Sequence, residues 1–244
     1  MSLILATVSP GKPEIFTALQ GEGPSAGRPS IFIRLSGCNL ACVWCDTAYT
    51  WRFSGDNRPH WDEETFGRAD NQIKLEETDA AAQIAALAGN RLVITGGEPL
   101  LQAPALARML EGLPDLHVEV ETNGTIAPPP ALDGVVDQYN VSPKLSHSGN
   151  QEELALRSET LSTFAADQRA WFKFVICEPA DLNEIVRLQR RFSIPAARIF
   201  LMPEGRDSAT LRERSTWITE LCALHDYNFT DRLHIHLHGD TRGT

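Results

Sequence analysis

The sequence lacks three features that would each assign it to a broad class of protein. No apolar run among its 244 residues approaches the ~20 residues needed to span a bilayer, so we expect no membrane partner. The 22 Lys and Arg are outnumbered by 32 Asp and Glu, and the formal net charge of -10 argues against nucleic acid as a main partner. A small anionic ligand is compatible with this balance, because one local Arg or Lys can hold it.

Cysteine is scarce and unevenly distributed. The chain has five cysteines, and three of them fall within residues 38–45. Secreted disulfide frameworks are denser in cysteine and usually have an even count. The N-terminal stretch MSLILATVSPGKPE has no basic region and too few apolar residues for a signal peptide. We therefore expect a cytoplasmic protein in a reducing environment.

Short β-rich runs alternate with helical patterns along most of the chain. The β-rich runs lie at 30–37, 91–97, 116–124, 136–144, 171–177, 198–205 and 232–239. The helical patterns lie at 76–89, 104–113, 179–192 and 208–227. Strands that alternate with helices predict parallel β/α units. The predicted fold is α/β, a partial (β/α) barrel of about six parallel strands, with a doubly wound sheet as the alternative.

Many of the predicted strands end in small or polar residues. These ends read SGCN, TGGEP, ETNG, SPK, MPEG and LHG. Ligands of parallel β/α folds bind at the carboxyl ends of the strands, so the six ends predict one shared active site. Residues 51–75 are polar and irregular and are expected to form an insertion. No repeat or linker interrupts the rest, which predicts a single domain over residues 1–244.

Cys38, Cys42 and Cys45 have the spacing C-x3-C-x2-C on a loop that follows a predicted strand. Thiolates are soft ligands that suit zinc or an iron–sulfur cluster. A zinc site would need a fourth ligand, for which the adjacent Asp46 and the distant His60 are the candidates. A four-iron cluster on three cysteines would instead leave one iron open to an exogenous ligand.

This loop, with Trp44 just before its last cysteine, resembles the cluster loop of the radical S-adenosylmethionine (SAM) superfamily. TGGEP at 95–99 looks like the second motif of that superfamily, whose glycines allow the backbone to approach the methionine part of SAM. The resemblance implies a [4Fe-4S] cluster whose open iron is chelated by SAM. It also implies that Trp44 lies near the adenine.

The stretch FTALQGEGPSAGRPSIFIRLSGCNLACVWCDT, at 16–47, is similar to the opening of the 7-carboxy-7-deazaguanine synthases. The similarity extends over most of the chain, apart from 51–75 and 145–170. It implies an enzyme of queuosine and deazapurine biosynthesis, a lyase. The implied reaction converts 6-carboxy-5,6,7,8-tetrahydropterin to 7-carboxy-7-deazaguanine, with loss of ammonia and a requirement for Mg²⁺.

The resemblance also implies roles for individual residues toward the pterin. Arg34 matches the arginine that holds the pterin carboxylate, and a guanidinium suits a carboxylate bidentately. In the LQGEG stretch, Gln20 and Glu22 have the side chains to pair with amide-like edges of a heterocycle. The implied substrate contacts are Leu19, Gln20, Gly21, Arg34, Thr95, His238 and the terminal residue Thr244.

A second set of residues matches the cofactor sites of the family. The implied SAM contacts are Trp44, Cys45, Asp46, Gly97, Ser142, Pro143, Lys144, Met202, Pro203, Glu204 and Gly205. Thr47 matches the Mg²⁺ ligand, since a hydroxyl is a hard oxygen donor that this ion accepts. The roles of Glu121 and Asn123 in ETNG stay open.

LHIHLHG near the C-terminus places His234, His236 and His238 two residues apart, so on a strand they would share one face. We expect a polar strand face on which His238 is the functional member, rather than a site with three histidine ligands. Cys177 and Cys222 have no metal-type spacing and are expected in the core.

Two alternatives compete with this interpretation. One is a radical SAM activase that generates a glycyl radical on a partner protein, and the other is a non-enzymatic metal-binding module. The expected partners are the small pterin substrate and a flavodoxin-like reductant, together with a possible homodimer.

Overall fold

The computed structural model of the protein describes residues 2–113 and 115–244. In this part of the chain the strands are β1 (Ser2–Ser9), β2 (Lys12–Pro13), β3 (Ile15–Leu19), β4 (Pro29–Leu35), β5 (Gln72–Glu76), β6 (Arg91–Gly96), β7 (His117–Thr122), β8 (Gln138–Val141), β9 (Ala170–Ile176), β10 (Ile199–Pro203) and β11 (Asn228–Phe229). The helices are α1 (Arg68–Asn71), α2 (Glu77–Ala85), α3 (Ala103–Glu111), α4 (Glu152–Ala155), α5 (Ser158–Ala166), α6 (Asp181–Phe192), α7 (Ser208–His225) and α8 (Leu233–His238).

A parallel sheet forms the body of the protein, with its strands in the order β4-β6-β7-β8-β9-β10-β11. This order follows the chain without reversal, whereas a doubly wound sheet requires a reversal. Among the described residues β11 pairs with β10 alone, so the barrel stays open. The predicted partial barrel is therefore confirmed, and the doubly wound alternative is wrong.

Antiparallel strands extend the sheet beyond β4, and the sequence analysis missed most of them. β3 pairs with β4 in the register Phe16↔Phe32, and β1 pairs with β4 at Leu5↔Leu35. β5 pairs with β1 over five residues and lies at the end of the segment 51–75. That segment is therefore partly regular, with α1 and β5 in its last third.

The period of two along each strand separates the apolar core from the site. On β4, Ile31, Ile33 and Leu35 are buried in the core beneath the helices, while Phe32 and Arg34 alternate with them and point to the concave face. The same alternation on the other parallel strands gives the concave face the side chains Thr95, Glu121, Asn140, Lys173, Val175 and Met202. The concave face of the sheet is therefore largely polar, whereas the face that packs against the helices is apolar.

The C-terminal histidines do not lie on a strand, and that prediction was wrong. Leu233–His238 form helix α8, whose first N–H, from Leu233, donates to the carbonyl of Gly21 at 3.0 Å. The preceding Arg232 is buried and bonds to Glu22 at 3.1 Å. These contacts hold the chain at the open end of the barrel. Tertiary packing therefore outweighs the alternating sequence pattern, which predicted a strand.

The predicted helices are present, with shifted ends, and α4 and α5 were missed, as were α1 and α8. α2 ends at Ala85, before the end of the predicted span 76–89, and α7 begins after Asp207, whose carboxylate accepts from the N–H groups of Ala209 and Thr210. α4 and α5 fall in the unmatched segment 145–170. No helix among the described residues is long and apolar enough to cross a membrane.

Candidate active site

A cavity of about 220 Å³ lies at the carboxyl ends of the parallel strands, where the strand-end residues predicted a shared site. The strands contribute Arg34, Thr95, Thr122, Ser142, Val175 and Pro203 from their ends or the residues just after them. The cysteine loop, residues 38–45, forms one part of the wall, and the C-terminal tail, residues 240–244, forms another.

The three loop cysteines line this cavity, and each sulfur has a nitrogen donor beside it. Leu40 N lies 3.5 Å from Cys38 Sγ, Asn150 Nδ2 lies 3.3 Å from Cys42 Sγ, and Trp51 Nε1 lies 3.3 Å from Cys45 Sγ. Such donors stabilise sulfur that carries negative charge.

Burial acts in the opposite direction on the metal-free thiols. It raises the pKa of Cys38 to about 12 and that of Cys42 to about 11. Bound cations reverse this effect and deprotonate a coordinating thiol outright. The donor set is therefore built for thiolates that a metal group holds in place, which fits an iron–sulfur cluster.

The geometry does not suit a single zinc ion on the cysteine loop. Among residues 2–113 and 115–244, the only three Cys, His or carboxylate side chains with ligand atoms within 4.8 Å of one another are His147, Cys177 and Asp181. The loop sulfurs therefore do not converge as zinc at ~2.3 Å from each sulfur requires. Both candidate fourth ligands are also engaged, since His60 Nε2 lies 2.9 Å from Cys45 O and Asp46 pairs with Arg232.

Gly97, in the second motif, has no room for a side chain. A Cβ on Gly97 would lie 2.1 Å from the carbonyl oxygen of Gly37, at the base of the cysteine loop. The neighbouring N–H of Glu98 donates to this same carbonyl at 2.9 Å. The glycine is therefore required so that the end of β6 and the cysteine loop can pack backbone against backbone.

Glu98 is a structural residue that the sequence analysis passed over. Its buried carboxylate accepts from Leu100 N, Thr122 Oγ1 and Asn123 N at 2.7–3.0 Å, and so joins the ends of β6 and β7. Burial outweighs these bonds and raises its pKa to about 6. Asn123 in turn donates to Asn39 Oδ1 at 2.9 Å, which links the end of β7 to the cysteine loop.

Most residues that the sequence assigned to SAM lie together in the cavity wall. Those that line it are Trp44, Cys45, Asp46, Gly97, Ser142, Lys144, Met202, Pro203 and Glu204, whereas Pro143 and Gly205 lie outside the lining. Lys144 Nζ donates to Ser142 Oγ at 2.8 Å and lies 5.6 Å from the centroid of the Trp44 ring. Glu204 is paired with Arg214.

A buried ion network crosses the cavity, and the sequence analysis missed both of its cations. Glu22 pairs with Lys173 and with Arg232, and Arg232 also pairs with Asp46. Burial alone would raise the pKa of Glu22, but Lys173 and Arg232 together hold it well below its usual range. A signal was available for Lys173, which is a charged residue in the apolar run WFKFVIC, on the face opposite Phe172 and Phe174.

The predicted substrate contacts form a polar region of the same cavity. Gln20 Nε2 donates to Glu119 at 2.7 Å, and Thr95 Oγ1 donates to Glu121 at 2.8 Å. Arg34 Nε donates to Glu14 at 2.8 Å. The lining includes Leu19, Gln20, Gly21, Arg34, Thr95 and Thr244.

His238 is the exception among these residues. It is exposed and lies outside the cavity lining, whereas His234 lines the cavity. His234 lies in the first turn of α8 and packs against Gly21, whereas His238 is the last residue of the helix and lies at its exposed end. The Cβ position of Gly21 lies 2.3 Å from His234 Nδ1, so this contact also requires the glycine. His234, rather than the predicted His238, is therefore the histidine of this segment that lines the cavity.

Thr47 lies in the cavity wall beside the cluster loop, with its Oγ1 3.6 Å from Cys45 Sγ. It begins a short helical turn, Ala48–Thr50, but its side chain makes no capping hydrogen bond. The hydroxyl is therefore not used as a helix cap and is placed where a ligand can reach it.

Comparison with known proteins agrees with this architecture. The Radical SAM superfamily model matches residues 32–145, a span that holds the cysteine loop and the second motif. The crystal structure of QueE from Escherichia coli superposes with a TM-score of 0.68 at 24% identity, over 96% of this chain and 95% of that one. The fold is therefore the radical SAM fold, as predicted, and the cluster and SAM are the cofactors of that superfamily.

Relatives that match nearly the whole chain identify the family within the superfamily. A 7-carboxy-7-deazaguanine synthase of Pyrobaculum aerophilum is 38% identical over 94% of this chain and 95% of its own length. One of Hyperthermus butylicus is 35% identical over 91% of this chain and 90% of its own. This radical SAM enzyme therefore belongs to the 7-carboxy-7-deazaguanine synthase family.

Proposed function

We propose that this chain converts 6-carboxy-5,6,7,8-tetrahydropterin to 7-carboxy-7-deazaguanine with loss of ammonia, in deazapurine biosynthesis. The observation that carries the proposal is one cavity that is lined both by the three-cysteine loop and by a guanidinium, amide and carboxylate set. A cavity of this size admits a small molecule rather than a protein segment, which favours a pterin over the glycyl-radical partner of an activase.

The pterin carboxylate would bind at Arg34. Glu14 is fully buried and accepts a hydrogen bond from Nε of this guanidinium. The two terminal nitrogens are then left to bind a carboxylate bidentately. The amino and amide edge of the pterin would meet Gln20 and Glu121, because a carboxylate accepts from N–H groups and an amide pairs with an amide. Lys173 Nζ lies 3.9 Å from Glu121 Oε1 and places a positive charge beside this carboxylate.

The cofactors would bind on the other side of the cavity. Cys38, Cys42 and Cys45 would hold the cluster, and Trp44 and Lys144 would contact SAM, with the ammonium of Lys144 near the SAM carboxylate. When bound, the cluster and SAM supply the one-electron chemistry that abstracts a hydrogen atom from the substrate. The C-terminal tail, which forms part of the cavity wall, would limit the access of water to this reaction.

We further propose that Thr47 is a Mg²⁺ ligand, supported by its hydroxyl in the cavity wall, which makes no helix-capping bond. Mg²⁺ takes few protein ligands and completes its shell with substrate oxygens and water. A carboxylate of the pterin, held at Arg34, is the substrate oxygen that this ion would share.

The remaining expectations concern the reductant, the domain organisation, the oligomeric state and the location of the enzyme. We propose a flavodoxin-like reductant, because the cluster must be reduced by one electron before it can cleave SAM. We also propose a single domain over 1–244, a homodimer and a cytoplasmic location. Sedimentation equilibrium of the reconstituted protein tests the dimer, and limited proteolysis that releases a stable fragment would contradict the single domain.

Anaerobic turnover of the purified, iron-reconstituted protein tests the main proposal. With dithionite, SAM, Mg²⁺ and 6-carboxytetrahydropterin, we expect 7-carboxy-7-deazaguanine and ammonia in equal amounts. Cleavage of SAM without a deazaguanine product would reject the proposed substrate. A preparation with one zinc per chain and no SAM cleavage would support the metal-binding module instead.

A further inference from the structure

Trp44, the aromatic residue of the cluster loop, is held by a histidine from a different part of the chain. Its indole Nε1 donates to His147 Nδ1 at 2.9 Å, and the centroids of the two rings lie 5.6 Å apart. An indole nitrogen is a donor only, so Nδ1 of His147 must be the acceptor and carry no proton. The ring is therefore the neutral tautomer with its proton on Nε2.

The other edge of the histidine confirms this tautomer. His147 Nε2 lies 3.2 Å from the carbonyl oxygen of Val175 and 3.7 Å from Asp181 Oδ2, and both of these groups accept. Asp181 is itself fixed, because its Oδ2 also accepts from Cys177 N at 2.8 Å and Glu178 N at 3.0 Å. His147 thus connects Trp44 to the end of β9 and the start of α6, two regular elements of the barrel.

The same three side chains, His147, Cys177 and Asp181, have the spacing of a small metal site. Their hydrogen bonds argue against that use. The Nδ1 lone pair that faces Cys177 Sγ, at 3.4 Å, already accepts from Trp44. The Asp181 oxygen that faces the ring already accepts from two backbone N–H groups. A metal would have to displace bonds on both sides of the imidazole.

We propose that His147 is a positioning residue for the cofactor, because it fixes the orientation of Trp44 and so the aromatic wall against which SAM binds. The inference deepens the proposed function and rests on it, since the place of SAM beside Trp44 is part of that proposal. Without an acceptor at His147, the indole N–H would lose its partner. The ring would then turn and no longer present one fixed face to the cavity.

Two substitutions at His147 separate this role from a general structural one. His147→Asn keeps an acceptor oxygen near the position of Nδ1, whereas His147→Leu keeps the volume and removes the acceptor. We expect His147→Leu to weaken SAM binding by about 5- to 10-fold, the loss of one hydrogen bond, and His147→Asn to recover most of it. The measurements are the SAM dissociation constant by anaerobic isothermal titration and the KM for SAM, with kcat changed less than KM.

Trp44→Phe keeps the ring without its N–H and completes a double-mutant cycle. In the Trp44→Phe background we expect His147→Leu to have no further effect on SAM binding, because the bond it removes is already absent. Additive effects of the two changes would overturn the proposal. So would equal losses for His147→Asn and His147→Leu. Iron content and the midpoint of thermal unfolding show whether each variant is folded and loaded.

Cys177→Ala is the matched control, because it removes the thiol and leaves the Trp44–His147 bond. We expect its SAM affinity to equal that of the wild type. A bound zinc or copper ion that is lost in both Cys177→Ala and His147→Leu would show a metal site and overturn the positioning role. Failure of the proposed function is seen in the reconstituted wild type alone, which would then form no deazaguanine whether or not it binds SAM, whereas the positioning role is tested by the SAM affinities of the variants.

Discussion

Arg34 Nε donates to Glu14 Oε1 at 2.8 Å, and Glu14, which is fully buried, holds the guanidinium in one orientation. The hydroxyl of Tyr49 also donates to Glu14, at 3.0 Å, and the Arg242 guanidinium of the C-terminal tail stacks on the Tyr49 ring at 3.6 Å. The proposed carboxylate anchor is therefore connected through two side chains to the C-terminal tail, which forms part of the cavity wall.

Glu14→Gln tests whether this carboxylate orients Arg34. The amide keeps the size of the side chain but removes its charge and replaces one acceptor oxygen by a donor nitrogen. We expect the KM for the pterin to rise by about 3- to 10-fold, because one charge-assisted hydrogen bond is weakened. The KM for SAM should not change. A parallel rise in both KM values would show a general disturbance of the cavity.

Arg34→Ala tests the anchor itself. Loss of a bidentate charged contact is expected to weaken pterin binding by at least about 10-fold. Uncoupled cleavage of SAM, measured as 5′-deoxyadenosine formed without pterin, should stay largely intact. The matched control is Arg28→Ala, which removes an exposed arginine just before β4. Equal loss of SAM cleavage and pterin turnover in Arg34→Ala would instead indicate a structural role.

Glu22 should make the stability of the protein depend on pH. Its folded-state pKa is lowered, because Lys173 and Arg232 more than offset the effect of burial. A lowered carboxyl pKa contributes stability above the unfolded-state pKa, and that contribution is lost as the pH falls through and below about 4.5. Glu22→Gln leaves two buried cations without this partner and should cost about 3–5 kcal/mol at pH 7.

Urea unfolding of wild type and Glu22→Gln at several pH values measures this dependence. The difference in the free energy of unfolding should be largest near pH 7 and shrink steadily below pH ~4.5, because Glu22 of the unfolded wild type then takes up a proton while the folded state still resists it. Glu153→Gln, on the exposed surface of α4, is the control and should leave the free energy unchanged at every pH. A difference between wild type and Glu22→Gln that is independent of pH would contradict the assignment.

The sequence predicts correctly those segments whose local residue pattern matches their surroundings in the folded protein. The parallel strands are short apolar runs that end in small residues, and the metal loop is three cysteines within eight positions. Both signals are local, and they identify the barrel and the cysteine side of the cavity. Arg34 could also be placed, because Phe32 two residues earlier shows that this face of β4 is not a plain solvent face.

The rest of the site depends on contacts between distant residues, which a local pattern does not contain. Glu14 reaches Arg34 across the β3–β4 pairing, and Arg232 reaches Glu22 over 210 residues. The LHIHLH run alternates like a strand, but α8 forms because Leu233 is tied to Gly21. A strand and a helix both place residues 234 and 238 on the same side, so secondary structure alone does not decide between the two histidines. His234 lines the cavity because it packs against the distant Gly21, a contact that the local pattern does not contain.

Gly97→Ala should damage the cysteine loop through the backbone. The new Cβ would lie 2.1 Å from Gly37 O. This oxygen belongs to the main chain, so no change of side-chain rotamer can relieve the clash. We expect a loss of at least about 2 kcal/mol in the free energy of urea unfolding, and a lower iron content after reconstitution. Gly112→Ala is the matched control, because its Cβ would meet Met109 O at 3.5 Å and Ala81 Cβ at 3.7 Å, which are ordinary contacts.

Thr47→Ala tests the proposed Mg²⁺ ligand. The substitution removes the hydroxyl oxygen but no helix cap, since the Thr47 side chain makes no capping bond. We expect the Mg²⁺ concentration for half-maximal turnover to rise by about 10-fold, the loss of one hard oxygen donor, while the SAM dissociation constant stays the same. Thr47→Ser keeps the hydroxyl and should restore the wild-type response. A Mg²⁺ response in Thr47→Ala that matches the wild type would remove Thr47 from the metal site, and the ion would then have to bind through substrate oxygens and water alone.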